Sequence, residues 1–101
     1  MAAVHGVVTF RVKPGRYADL FGAIKVVKKM VERLGSSVIV SRQTIGPESG
    51  NVSVVFIYAD YAAYAKAATD PELAGFLEAA RNDSNPAYDQ ITVSLGEEVT
   101  I

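Results

Sequence analysis

The chain has 101 residues, 50 % of them hydrophobic and 21 % charged, with a formal net charge of −1. That composition describes one folded domain spanning residues 1–101, not a disordered segment or a polybasic nucleic-acid binder. There is no cysteine and a single histidine, which excludes disulfides, thiolate metal sites and cysteine nucleophiles. One His among scattered carboxylates makes no metal ligand set either. No apolar run approaches the roughly 20 residues that span a membrane. The start Met1-Ala2-Ala3-Val4-His5 lacks the basic segment and apolar stretch of a secretory signal. The expectation is a cytoplasmic protein with no membrane partner, no metal and no cofactor.

The first predicted strand runs from Ala3 to Lys13. Val4, Gly6, Val8, Phe10 and Val12 alternate with His5, Val7, Thr9, Arg11 and Lys13, so the two sets point to opposite faces. Pro14-Gly15 stops it. A helix is predicted over Arg16–Leu34, where Tyr17, Leu20, Phe21, Ile24, Val27, Val31 and Leu34 recur at spacings of three and four. Gly35 follows in the position that ends helices. The second strand is predicted over Ser37–Ile45 and the third over Val52–Ala59, joined by the turn formers of Gly46–Asn51. The third strand is apolar on both faces, which marks a central strand.

Asp60 is an expected N-cap for a second helix with the stripe Tyr61, Tyr64, Ala65 and Ala68. Asp70-Pro71 breaks or kinks it, and Thr69 with Glu72 has the spacing of a capping box that restarts it. Leu73, Phe76, Leu77 and Ala80 continue the apolar side. After the loop Asn82–Pro86, a last strand is predicted over Ala87–Leu95. Its Ile91, Val93 and Leu95 fall on one face, and Gln90, Thr92 and Ser94 on the other. The tail Glu97–Ile101 carries Val99 and Ile101 and can extend a strand.

The order β-α-β-β-α-β is that of a ferredoxin-like α+β fold: a four-stranded antiparallel sheet with both helices on one face. The other face is bare, yet the third strand is apolar there. A second copy of the chain is the expected cover, giving a homodimer through the open sheet face. A chain this short buries only about 60–65 % of its unfolded surface, so association also adds burial that it needs.

Three segments carry a family likeness: Val12-Lys13-Pro14-Gly15-Arg16-Tyr17, Phe56-Ile57-Tyr58-Ala59-Asp60-Tyr61-Ala62-Ala63-Tyr64 and Thr69-Asp70-Pro71-Glu72-Leu73. Together they resemble the dimeric α/β-barrel superfamily, which includes antibiotic-biosynthesis-type monooxygenases and EthD-like and NIPSNAP-like proteins. The resemblance covers nearly the whole chain. It implies a ferredoxin-like protomer whose open sheet packs into a barrel across a two-fold axis. The family's catalytic residues do not carry over: there is no Trp, and the only His is His5, on the first strand.

The candidate site follows from the strand faces. His5, Thr9 and Arg11 share the face expected to be free of helices, and Gln90, Thr92 and Ser94 are expected to line the same side. Arg11 is the candidate to hold an anionic or carbonyl oxygen, with Thr9 roughly 7 Å along the strand. His5 is a candidate base, although at roughly 20 Å from Arg11 it cannot act on the same reacting centre within one protomer. A simpler reading pairs Arg11 with an acid across the dimer and leaves His5 at a strand end. Tyr58, with Gln90 and Thr92, is a candidate ligand contact. Of Arg42 and Gln43 on the second strand, only one can face a pocket.

Residues 1–42 hold eight basic and two acidic side chains, and residues 43–101 two basic and nine acidic. The two halves are expected to attract each other, within the fold or across the dimer.

Three functions fit these residues. The first is a monooxygenase- or isomerase-like enzyme that encloses a small apolar or aromatic metabolite. The second is a binding or structural dimer without chemistry. The third is a nucleic-acid-binding domain, since Phe56 and Tyr58 alternate as the stacking aromatics of RNA-recognition domains do, though the basic and glycine residues around them are missing.

Overall fold

The computed structural model describes residues 2–101. Its elements in chain order are β1 (Val4–Val12), α1 (Tyr17–Arg33), β2 (Ser37–Arg42), β3 (Val52–Tyr58), α2 (Tyr61–Ala68), α3 (Pro71–Arg81) and β4 (Tyr88–Glu97). The strands form one antiparallel sheet in the order β2-β3-β1-β4. This is the expected ferredoxin-like topology, with β3 and β1 in the centre.

The turns that set this path are chemical. In Lys13-Pro14-Gly15-Arg16 the Arg16 N–H bonds back to the Lys13 carbonyl, and Gly15 has φ +75°. Proline supplies the fixed φ and glycine the left-handed one, so the chain reverses directly into α1. At the other end of α1, the Ser36 N–H bonds to the Val31 carbonyl and the Gly35 N–H to that of Glu32, with Gly35 at φ +94°. That pair of bonds is a Schellman motif and satisfies carbonyls the helix would leave orphaned.

The second helical segment is two helices. Thr69 ends α2, and its hydroxyl donates back to the Ala65 carbonyl at 2.7 Å. Asp70, not Thr69, caps α3 by accepting from the Leu73 N–H at 2.9 Å, with Pro71 in the first helical turn. The expected capping box from Thr69 to Glu72 is not formed, and the N-cap falls one residue later: a carboxylate is the stronger acceptor, and proline at the first position presets the helical geometry. Asp60 caps α2 as expected, accepting from the Ala63 N–H at 2.8 Å. On α2 the inward residues are Ala63, Tyr64 and Ala67, while Tyr61 is half exposed.

The core lies between the sheet and the helices. Val4, Val52 and Val54 from the sheet meet Leu20, Ile24 and Val31 of α1, with Ala67 and Leu73 beyond. The helices cover the sheet unevenly: α1 packs on β2 and α3, and α2 on β3. The helix side of β4 is left uncovered, so Val93 and Leu95 stay largely exposed.

Strand β4 departs from simple alternation. Thr9 pairs with Thr92 but Phe10 pairs with Gln90, so Ile91 is an extra residue. This β-bulge shifts the pleat by one. Val93 and Leu95 face the helix side above it, and Gln90 and Tyr88 face that same side below it. The expected grouping of Gln90 with Thr92 and Ser94 is thereby corrected. The tail adds one bond, from the Glu98 N–H to the Ala3 carbonyl at 2.8 Å, and residues 98–101 lie outside β4. Strand β2 is shorter than expected and ends at Arg42.

Among the described residues a single ion pair joins the two halves of opposite charge, Arg33 to Glu72 at 3.7 Å, and both side chains are exposed. The others are local pairs within helices or at their start. No described helix is long and apolar enough to cross a membrane.

Candidate functional site

A cavity of about 510 Å³ lies between the helices and the sheet. Its floor is built by period-two alternation. Gly6 stands between Phe56 and Leu95, and Val8 between Val54 and Val93. Gly6 is what makes the floor low: a Cβ there would sit 3.8 Å from Leu95, Phe56 and Tyr58, in ordinary contact, and anything larger would rise into the space. The roof stands clear of the floor for a similar reason. Ala67, Ala68, Ala74 and Ala80 of α2 and α3 are too short to fill the gap above the sheet. The mouth opens where β4 is uncovered, beside Leu77 and Arg81 of α3 and Gln90 of β4.

The walls are aromatic. Phe56 and Tyr58 are nearly parallel at 6.4 Å, and Tyr64 packs edge-on to Tyr58 at 5.4 Å. At the other end Tyr88 meets Phe10 edge-on at 4.7 Å. These offset and edge-to-face contacts fix ring positions and leave ring faces free for a flat guest. Burial, and after it the neighbouring Tyr64, push the Tyr58 phenol above its ordinary value. Tyr58 therefore stays protonated and can donate a hydrogen bond. Among the described residues the lining contains no His, Asp, Glu or Lys, and its one ionic side chain is Arg81.

Three of the sequence candidates, Tyr58, Gln90 and Ser94, line this cavity. The others do not. His5, Thr9 and Arg11 pair with Ile57, Ser53 and Asp89, and Thr92 pairs with Thr9, all on the helix-free face. The sheet separates them from the cavity, so the candidates do not form one site: Tyr58 and Gln90 are on the helix side, and His5, Thr9, Arg11 and Thr92 on the other. Thr9 is engaged by Ser53 at 3.1 Å between hydroxyl oxygens. Arg11 stands opposite Asp89 in register but makes no ion pair among the described residues. It lines a smaller, polar hollow of about 280 Å³ beside the β2–β3 loop. There the Tyr17 hydroxyl donates to the Gly50 carbonyl at 2.6 Å, and Arg42 lies over the Tyr17 ring. Arg42 is thus held on the helix side and is absent from the large cavity.

Tyr88 and Arg81 are cavity residues that the sequence did not flag. A helix-terminal arginine and a strand-start tyrosine look ordinary until the bulge and the α3 direction bring them to one mouth. Phe56 and Tyr58 face the helices, so the described part of the open face presents no aromatic ring for a base to stack on.

The protein is a ferredoxin-like α+β domain with a ligand-sized chamber under its helices. No family model matches the chain, and no curated protein matches its sequence. Solved structures do. A conserved protein of unknown function from Bacteroides thetaiotaomicron aligns with TM-score 0.74 at 9 % identity, over 96 % of this chain and 98 % of that one. SnoaB, a cofactor-independent oxygenase from Streptomyces nogalater, aligns with TM-score 0.69 at 14 % identity, over 100 % and 95 %. A Bordetella bronchiseptica protein provisionally named an antibiotic biosynthesis monooxygenase aligns with TM-score 0.69 at 12 % identity, over 99 % and 100 %. The structural neighbours thus include proteins of the antibiotic-biosynthesis-monooxygenase type. At these identities the likeness bears out the resemblance at the level of the fold.

Proposed function

We propose that the protein is an enzyme of the cofactor-independent oxygenase type that acts on a small aromatic metabolite in the helix-side cavity, and that it works as a homodimer. The observation that carries this reading is the cavity itself: about 510 Å³, walled by aromatic rings, with few polar groups. The fold shared with SnoaB supports the reaction type.

The chemistry asks little of the protein. A CH2 group activated by an aromatic ketone loses a proton to water at the mouth, since the lining holds no base, and gives an enolate. The enolate supplies electrons to O2, the carbon becomes C=O and water leaves, so R2CH2 and O2 give R2CO and H2O. Tyr58 donates a hydrogen bond to the enolate oxygen, where negative charge develops in a dry site. Dimerisation through the open face has its own support. Ile39, Val55 and Val7 form an apolar row across three strands there, and Ile39 is 53 % exposed in the protomer.

One feature favours a second reading, a binding dimer without chemistry: the cavity lining has no carboxylate, imidazole or amine to take the proton. Oxygen uptake with a tricyclic aromatic ketone bearing an activated CH2 separates the two. Uptake that is lost in Gly6→Val, which fills the floor, supports the oxygenase. Binding of the ketone without uptake supports the binding dimer. A ketone that neither binds nor reacts removes both.

A further inference from the structure

The ionic groups of the cavity mouth have no part in that proposal. Arg81 is in the last turn of α3, where a cation is stabilised by the helix dipole, and it is the only charged residue of the cavity lining. Its guanidinium is paired with Glu78 one turn back, and Glu78 also accepts from Asn82. The Arg81 side chain is 68 % exposed, so this pair exchanges readily with another anion. Gln90, turned to the same side by the bulge at Ile91, adds an amide at the mouth.

The interior sets the complementary constraint. Tyr58 lies opposite Val4, and Gln90 opposite Phe10, six residues further along β1. That is roughly 20 Å of strand. Between these ends the lining is hydrocarbon and aromatic apart from Ser94, so an ionised group drawn inside would lose its water with no cation to repay it. At the mouth the same group keeps part of its hydration and meets Arg81.

We infer that the cavity takes an apolar molecule carrying one acidic group, a carboxylate or its like, with the apolar body inside and the acid on Arg81 in exchange for Glu78. This rests on the reading of the cavity as the ligand site. Arg81 is then a specificity residue. It selects acidic over neutral guests of the same shape.

Two fluorescent probes test it on the intact protein. Anilinonaphthalene sulfonate carries one acidic group, and N-phenylnaphthylamine has nearly the same rings without it. Arg81→Gln is expected to weaken the sulfonate about three- to fivefold, the scale of an exposed ion pair, and to leave the neutral probe unchanged. Glu78→Gln, which frees Arg81, is expected to strengthen the sulfonate about twofold. Glu72→Gln, at the start of α3 and away from the mouth, controls for net charge and is expected to change neither. Added salt should weaken only the sulfonate. If Arg81→Gln changes both probes alike or neither, or if Glu72→Gln matches Glu78→Gln, the inference is overturned. Failure of the cavity reading shows differently: the neutral probe then fails to bind, or binds equally well to Gly6→Val.

Discussion

The two faces of the sheet are built by the same strands and have opposite characters. The helix side carries Gly6, Phe10, Phe56, Tyr58 and Tyr88, a mixture of no side chain and large rings. The centre of the open side, between His5 and Arg11, carries rows of similar, mid-sized residues. Ser41, Ser53, Thr9 and Thr92 make one row across all four strands, and Ile39, Val55 and Val7 make the next. Uneven residues under alanine-rich helices leave a hollow. Even residues make a flat surface, which suits another flat surface. One face has room for a guest, and the other is the surface through which the proposed dimer would form.

The largest expected effect tests the open face. Val55 lies mid-row between Ile39 and Val7. Val55→Glu would place a carboxylate from each protomer in the sheet-to-sheet contact, and unpaired buried charges of this kind cost about 3–5 kcal/mol. Native mass spectrometry should show the wild type as a dimer and the variant as a monomer, with dimer affinity more than about a hundredfold weaker. The variant should still bind N-phenylnaphthylamine. A wild-type protein that is monomeric, or a variant that stays dimeric, breaks the comparison at its open side.

The next effect belongs to the helix side. Leu20 of α1 is 2 % exposed, within the core cluster and against the cavity. Leu20→Ala joins new empty space to an existing hollow, so neighbouring side chains have little to collapse onto. The expected loss is about 3 kcal/mol in urea unfolding. Val7→Ala, on the open face, should cost the isolated protomer under about 1 kcal/mol. Equal losses would mean that the two faces are packed alike.

Much of this contrast was legible in the sequence. Alternation in β1 and β3 assigned the faces correctly, Pro14-Gly15 and Gly35 bounded α1, and Asp60 capped α2. The cavity's side was not legible. Binary patterning says which residues point inward but not whether they meet, and the hollow depends on Gly6 lying beneath Ala67, Ala68 and Ala80. The face of Gln90 was hidden for a second reason. The bulge is made by Ile91, a residue with no special backbone freedom, so nothing in the local sequence announces it. Reading β4 as an unbroken strand sent Gln90 to the wrong side of the sheet and grouped it with Thr92 and Ser94.

A smaller effect tests the joint that lets α3 roof the cavity. Asp70 caps α3 through the Leu73 N–H, while the Thr69 hydroxyl only returns to a carbonyl of α2. Asp70→Ala should cost about 1 kcal/mol, and Thr69→Ala much less. The reverse order, measured by the urea midpoint, would restore Thr69 as the cap.

The smallest effect at neutral pH, and the most specific to the helix side, concerns Tyr58. Its phenol is raised by burial first and by Tyr64 second from its ordinary value of 10.0. The folded state therefore holds this proton more tightly than the unfolded one. Its contribution to stability is fully present below pH 10.0 and is lost as pH rises through the higher folded value. Tyr58→Phe has no proton to lose, so stability should match the wild type closely at neutral pH and fall less steeply above pH 10.0. Urea midpoints on either side of that pH give the slope for both proteins. A bound guest that accepts a hydrogen bond from Tyr58 should hold the proton more tightly still, steepening the wild-type loss and leaving Tyr58→Phe unmoved. Parallel slopes for the two proteins would mean that Tyr58 meets water freely, and the dry interior that the helix-side chemistry needs would be gone.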